Sequence, residues 1–81
     1  MLCMTIYYFD IQIGDTPRSI DEEGHGYPDV ETARAEAGRV LCDVSRDMLR
    51  SGKVSNMRIW VRDDLGAVMF AQLQFHIQRL N

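Results

Sequence analysis

The sequence predicts an α+β domain of order ββαββ, in which one long helix packs on one face of a four-stranded, mainly antiparallel sheet. Aromatic and β-branched residues alternate with polar ones from Tyr7 to Ile13, and this period of two is typical of a half-buried strand. Between residues 29 and 51, apolar residues recur at the three-and-four spacing of a helical stripe. Residues 63–66, Asp-Asp-Leu-Gly, are typical of a tight turn between two further strands.

Length and composition indicate one soluble domain over residues 1–81, with residues 1–3 as an N-terminal extension and 76–81 as a tail. The net charge of −3 argues against nucleic acid as the main partner. No apolar run approaches the roughly 18–20 residues that span a bilayer, and the start lacks a basic leader, so we expect a cytoplasmic protein. Two cysteines and two histidines lack zinc-ligand spacing, so we expect no metal or other cofactor.

In the first hairpin, Tyr7, Phe9, Ile11 and Ile13 share one face of the strand. The turn residues 14–17, Gly-Asp-Thr-Pro, then predict a return. We expect the second strand over residues 18–22, as a polar edge strand that offers only Ile20 to the core.

Three acidic residues and a glycine, Asp21, Glu22, Glu23 and Gly24, end this hairpin. Clustered carboxylates can bind a divalent cation or perform acid–base catalysis. Runs of charge are more often solvated, so we interpret the cluster as a strand end followed by a glycine turn.

The helix is predicted to begin after the N-cap Asp29 and to end at Gly52, which suits the left-handed C-terminal position. Its buried stripe is predicted to contain Val30, Ala33, Ala37, Val40, Leu41, Val44 and Met48. On the opposite face, Arg39 and Asp43 stand four residues apart and are expected to pair. We expect Cys42 to be partly exposed, and we explain Gly38 by the close approach of another backbone.

The third strand is predicted from Met57, Ile59 and Val61, which alternate with polar or bulky residues. A fourth strand is expected over residues 67–75, with Val68 and Phe70 as core candidates. The phase is ambiguous around Ala71, so Leu73 is a further candidate, and residues 76–80 are either a continuation of the strand or part of the tail. A right-handed crossover through the helix would make strands two and three parallel, and the strand order 2-1-3-4 satisfies this requirement.

Trp60 falls on the sheet face that a single helix leaves uncovered, together with Arg58, Arg62 and Tyr8. An exposed tryptophan flanked by arginines is typical of a binding hot spot. These four residues are therefore our interface candidates, and we predict no catalytic residue.

The motifs YYFD (7–10), DEEG (21–24), PD (28–29), ARAEA (33–37) and VRDDLG (61–66) together resemble a family of small proteins common in rhizobia and other α-proteobacteria. The resemblance covers roughly residues 4–75, and the family is classed as a domain of unknown function. It implies a bacterial cytoplasmic protein and supplies no activity, cofactor or catalytic residue.

We therefore expect a non-enzymatic interaction or regulatory module that forms a homodimer or binds another protein. The alternative is a nucleic-acid-associated or antitoxin-like regulator that uses Arg58, Arg62 and Trp60. A third hypothesis is a small carboxylate-dependent enzyme, which would require Asp21, Glu22, Glu23, Asp63 and Asp64 to meet in one cleft.

Overall fold

The computed structural model describes residues 3–52 and 56–81. Its elements are β1 (Thr5–Ile13), β2 (His25–Tyr27), α1 (Val30–Ser51), β3 (Asn56–Asp63) and β4 (Gly66–Gln74). The strands form one sheet of order β2-β1-β3-β4 with antiparallel neighbours throughout. Both the predicted fold class and the predicted strand order are confirmed. Within the described ranges, no helix is long and apolar enough to cross a membrane.

The second strand lies later in the chain than predicted. Residues 18–22 do not form a strand, and β2 instead pairs His25–Tyr27 with the start of β1. Of the predicted residues only Ser19 pairs in the sheet, through two backbone hydrogen bonds of 3.0 and 2.7 Å with Ile11. Between these two pairings, the Asp21 carboxylate accepts a hydrogen bond from the backbone N–H of Phe9 and so replaces a strand carbonyl. This side-chain bond is the reason that the prediction was wrong.

Both predicted helix caps are confirmed. The carboxylate of Asp29 accepts a 2.7 Å hydrogen bond from the N–H of Thr32. At the other end, Gly52 is left-handed (φ 68°) and its N–H donates to Met48 O at 3.1 Å. These bonds satisfy backbone groups that a helix leaves unpaired at its ends.

The buried stripe of α1 differs from the prediction at two positions. Val30 is 38% exposed, so the stripe begins one turn later, at Ala33. Ser45 is buried although it is polar, because its hydroxyl donates to Cys42 O at 3.1 Å. On the exposed face, Arg39 binds Asp43 at 2.7 Å and also pairs with Glu36, which confirms a self-paired charged surface. Cys42 is exposed, as predicted.

The core lies between α1 and the central strands. Met57, Ile59 and Val61 of β3 are fully buried, which confirms the predicted face of that strand. They meet Ala33 and Ala37, whose small side chains allow the helix to approach the sheet closely. One face of β1 packs around this centre. Tyr7 is buried there, and Phe9, Ile11 and Ile13 on the same face are partly buried.

The phase of β4 is opposite to the one that would place Val68 and Phe70 in the core. A β-bulge shifts the pairing between Val61 and Arg62, so Val68 is an extra residue on β4. Consequently Val68 and Phe70 are 45% and 51% exposed, whereas Met69, Ala71 and Leu73 pack against the core. Of the three core candidates in this strand only Leu73 is correct. Residues 76–80 do not extend β4, which ends at Gln74.

Gly38 does not allow the close approach that we expected, because a Cβ placed there would meet nothing within 4 Å. We predict that Gly38→Ala raises the free energy of unfolding by up to about 1 kcal/mol, since alanine loses less backbone entropy in a helix. Urea unfolding measures this gain. Gly52→Ala is the matched control: its site is equally open but has φ +68°, so the variant should lose stability. A Gly38→Ala variant no more stable than wild type would contradict the prediction.

Candidate functional site

The sheet face opposite α1 carries a continuous set of aromatic and polar side chains. Directly opposed residues of an antiparallel ladder point to the same face, and the pairs Asp10–Trp60 and Trp60–Phe70 therefore cross three strands. We call this surface the aromatic face. Its members are Tyr8, Asp10 and Gln12 of β1, Arg58, Trp60 and Arg62 of β3, and Phe70 and Gln72 of β4.

Trp60 lies at the centre of the aromatic face. Its ring is tilted against that of Phe70, with the centroids 5.4 Å apart. The guanidinium carbon of Arg18 lies 3.6 Å from the centroid of the Trp60 ring, in a cation–π contact. Trp60 is therefore half-buried, because the segment between β1 and β2 partly covers it.

A buried ion pair stands beside this aromatic centre. Asp10 is 1% exposed, and Arg62 donates to both of its carboxylate oxygens, from Nε at 2.6 Å and from Nη2 at 3.1 Å. Arg62 Nη2 also donates to the carbonyl of Asp21 at 2.9 Å. Burial raises the pKa of Asp10, but the hydrogen bonds from Arg62 and from the Asp21 N–H, together with nearby positive charge, outweigh burial and hold it below its ordinary value of 3.8.

Asp21 organises the loop that precedes β2. Its Oδ2 accepts from the N–H of Phe9 at 3.0 Å, and its Oδ1 accepts from those of Glu23 and Gly24 at 3.1 and 3.0 Å. Burial raises the pKa of Asp21, but these three bonds and the charge of Arg62 lower it below 3.8. Glu22 and Glu23 are exposed. The acidic cluster thus consists of one carboxylate that fixes the loop and two that are solvated.

Two of the five carboxylates of the third hypothesis, Asp21 and Asp63, accept backbone hydrogen bonds in two different turns. Asp63 Oδ1 accepts from the N–H of Leu65 at 2.8 Å in the β3–β4 turn, whereas Asp21 holds the loop before β2. In the parts of the chain that the structure describes, no three His, Cys, Asp or Glu side chains form a group that could hold a metal ion.

The four interface candidates predicted from the sequence all lie on the aromatic face. The guanidinium carbon of Arg62 lies 4.9 Å from the centroid of the Tyr8 ring. Arg58 Nη1 donates to Gln12 Oε1 at 3.1 Å. Both arginines are therefore held by neighbouring side chains of the same face.

Sequence reasoning missed Phe70, Arg18 and the partner of Arg62. Phe70 was assigned to the core because the bulge that reverses the phase of β4 has no clear signal in the sequence. Asp10 occupies a polar position in the alternation of β1, so nothing in the sequence indicates that its carboxylate is buried. Its partner lies 52 residues away, a separation that no local pattern bridges.

Comparison with known proteins identifies the family but not an activity. No curated protein and no solved structure shows significant similarity to this chain. The model of one family, described as a domain of unknown function (DUF6894), matches residues 6–75. This match covers every strand and the helix, apart from the first residue of β1. The chain therefore belongs to the DUF6894 family.

Proposed function

We propose that this protein is a non-enzymatic interaction module, with a regulatory role, that forms a homodimer through a contact surface containing Trp60. The observation that carries the proposal is the aromatic pair of Trp60 and Phe70 on the sheet face without a helix. Phe70 is 51% exposed, so this pair presents aromatic surface to solvent.

The composition of the aromatic face supports a protein partner. Arg62 and Asp10 neutralise each other, whereas Arg58 is bonded to an uncharged amide and keeps its positive charge. The surface around Trp60 therefore combines rings and paired polar groups with the charge of Arg58. Aromatic residues and arginine are the types enriched at the centres of protein interfaces.

A small core supports self-association. A chain of 81 residues buries only about 60–65% of its unfolded surface, so a dimer interface adds burial that the monomer lacks. We also propose that the protein is bacterial and cytoplasmic.

Trp60→Ala is expected to weaken the homodimer by roughly thirtyfold, which corresponds to about 2 kcal/mol, because truncating an interfacial tryptophan removes a large contact area. The fold should persist, because Trp60 is not part of the core between helix and sheet. Sedimentation and far-UV circular dichroism of both proteins test this.

The matched control is Leu49→Ala, which removes an apolar side chain of 42% exposure from α1. It should leave the dimer unchanged. A wild type that is monomeric at high micromolar concentration, or a Trp60→Ala variant that unfolds, would show that this role of Trp60 is wrong.

A nucleic-acid-associated or antitoxin-like regulator is the second candidate, and it rests on the arginines near Trp60. Arg18 stacks on the ring, and Arg58 lies two residues away on the same strand face. Rings and arginines together can stack single-stranded bases. Binding of an oligonucleotide that quenches Trp60 fluorescence and weakens steeply with salt would favour this candidate over the homodimer.

A further inference from the structure

β4 is an edge strand of unusual composition. It is nine residues long and pairs with β3 on one side, while in the described ranges no strand lies on its other side. Residues 66–75 contain no charged residue and no proline. Natural proteins usually protect an exposed edge with lysine, proline or a short strand, because its free N–H and C=O groups can pair with another chain. β4 has none of these three features. A bulge near its beginning is the edge protection that the described structure shows.

The two ends of β4 carry opposite charge. Asp63 and Asp64 precede the strand, and the exposed Arg79 follows it. Antiparallel pairing of two identical copies would place the acidic turn of each beside the basic tail of the other. Parallel pairing would instead place like charges together. The charge pattern therefore favours a second copy of this chain in antiparallel orientation.

We propose that β4 pairs antiparallel with β4 of a second copy, which joins two four-stranded sheets into one of eight strands. This inference rests on the self-association proposed above, and it places the contact between the two copies at the edge of β4, one strand away from Trp60. The overlap is longest when the midpoint of Gly66–Gln74, which is Phe70, pairs with the partner's Phe70. The interface is then isologous, as in most homodimers.

The register determines where the helices and the aromatic faces lie in the dimer. Two antiparallel copies of one strand are related by a two-fold axis perpendicular to the sheet, so both helices lie on one side and both aromatic faces on the other. Trp60 and Phe70 are already neighbours in one copy. Pairing at Phe70 creates a row of four rings across the axis, and it makes the two aromatic faces one continuous surface.

The size of the contact predicts a reversible dimer. About nine residues from each copy form the pairing, fewer than the roughly 20–30 residues a side of a standard stable interface. We therefore expect a dissociation constant on the order of micromolar rather than nanomolar.

Opposite charges at the two-fold axis test the register directly. Phe70→Lys and Phe70→Glu should each weaken the homodimer at least tenfold, because each places two like charges side by side. An equal mixture of the two variants should form a heterodimer, since the charges across the axis are then opposite. Analytical ultracentrifugation measures all three samples, and circular dichroism confirms that each variant is folded. A mixture that stays monomeric while wild type is dimeric would overturn the proposed register.

Amide hydrogen exchange of the wild-type chain distinguishes edge pairing from contact through the aromatic face. Under the proposal, alternate β4 amides exchange more slowly at high than at low micromolar concentration, because the second copy accepts their hydrogen bonds. A dimer whose β4 amides show no such dependence would overturn the edge pairing and leave the proposed function standing. Slowed β4 amides with a dimer unaffected by Trp60→Ala would support the edge pairing and contradict the role of Trp60. A monomer at high micromolar concentration would overturn both.

Discussion

Replacing Asp10 by asparagine is expected to lower the free energy of unfolding by roughly 3 kcal/mol. This is the lower end of the effect of breaking a buried ion pair, because the side chain of Arg62 remains 31% exposed and is partly hydrated. Asp10 itself is 1% exposed and binds both Arg62 and the N–H of Asp21. Asparagine keeps the shape but presents an N–H₂ group to a guanidinium that can only donate. Urea unfolding of the variant and the wild type measures the loss.

Asp47→Asn is the matched control, since it removes the same charge from an exposed position on α1. Its effect should stay within about 0.5 kcal/mol, as for most surface substitutions. If both variants lose the same amount, net charge explains the effect and the ion pair does not.

The pH dependence of stability gives a second measure of the same ion pair. Because the folded-state pKa values of Asp10 and Asp21 lie below the ordinary 3.8, their contribution to stability is complete well above pH 3.8. It is lost as the pH falls through the lowered values, where the folded carboxylates take up protons. Asp10→Asn should therefore flatten the acid part of the stability curve. An acid slope equal to that of wild type would contradict the assigned cause of the Asp10 shift.

Local patterns predicted the parts of this fold that depend on local chemistry. The alternation Met57, Ile59, Val61 identified the core of β3, and Asp29 and Gly52 identified the ends of α1. These signals are strong because burial on one side imposes a period of two or 3.6 on the residues themselves.

The errors arise where distant residues decide the structure. One extra residue, Val68, changes which side chains of β4 face the helix from that point onward. The sequence does not reveal this bulge, because β4 has apolar residues on both faces. The position of β2 depends on the Asp21 carboxylate binding the backbone of Phe9, twelve residues away. For the same reason, the sequence predicted the uncovered face around Trp60 but not the ion pair between Asp10 and Arg62 on that face.

Gly24→Ala is expected to lower the free energy of unfolding by about 2–5 kcal/mol, through two separate effects. Gly24 has φ +71°, a left-handed conformation that costs an alanine roughly 1–2 kcal/mol. A Cβ there would also lie 2.6 Å from Ile6 Cγ2 and 2.8 Å from Tyr8 Cε1, so these side chains must move, at a further cost of about 1–3 kcal/mol.

Two other glycines separate these effects in the same urea experiment. Gly52→Ala has φ +68° with nothing within 4 Å, so it measures the backbone effect without a clash. Gly26→Ala lacks the positive φ and places its Cβ 3.3 Å from Met4 Cβ, so it measures moderate crowding alone. Gly24→Ala should exceed both losses. Because Tyr8 must move, this variant should also disturb the contact of Tyr8 with Arg62 and, through it, the aromatic face. A loss no greater than that of Gly52→Ala would show that the loop accommodates the methyl group, and that the packing of Gly24 against Tyr8 does not constrain the site.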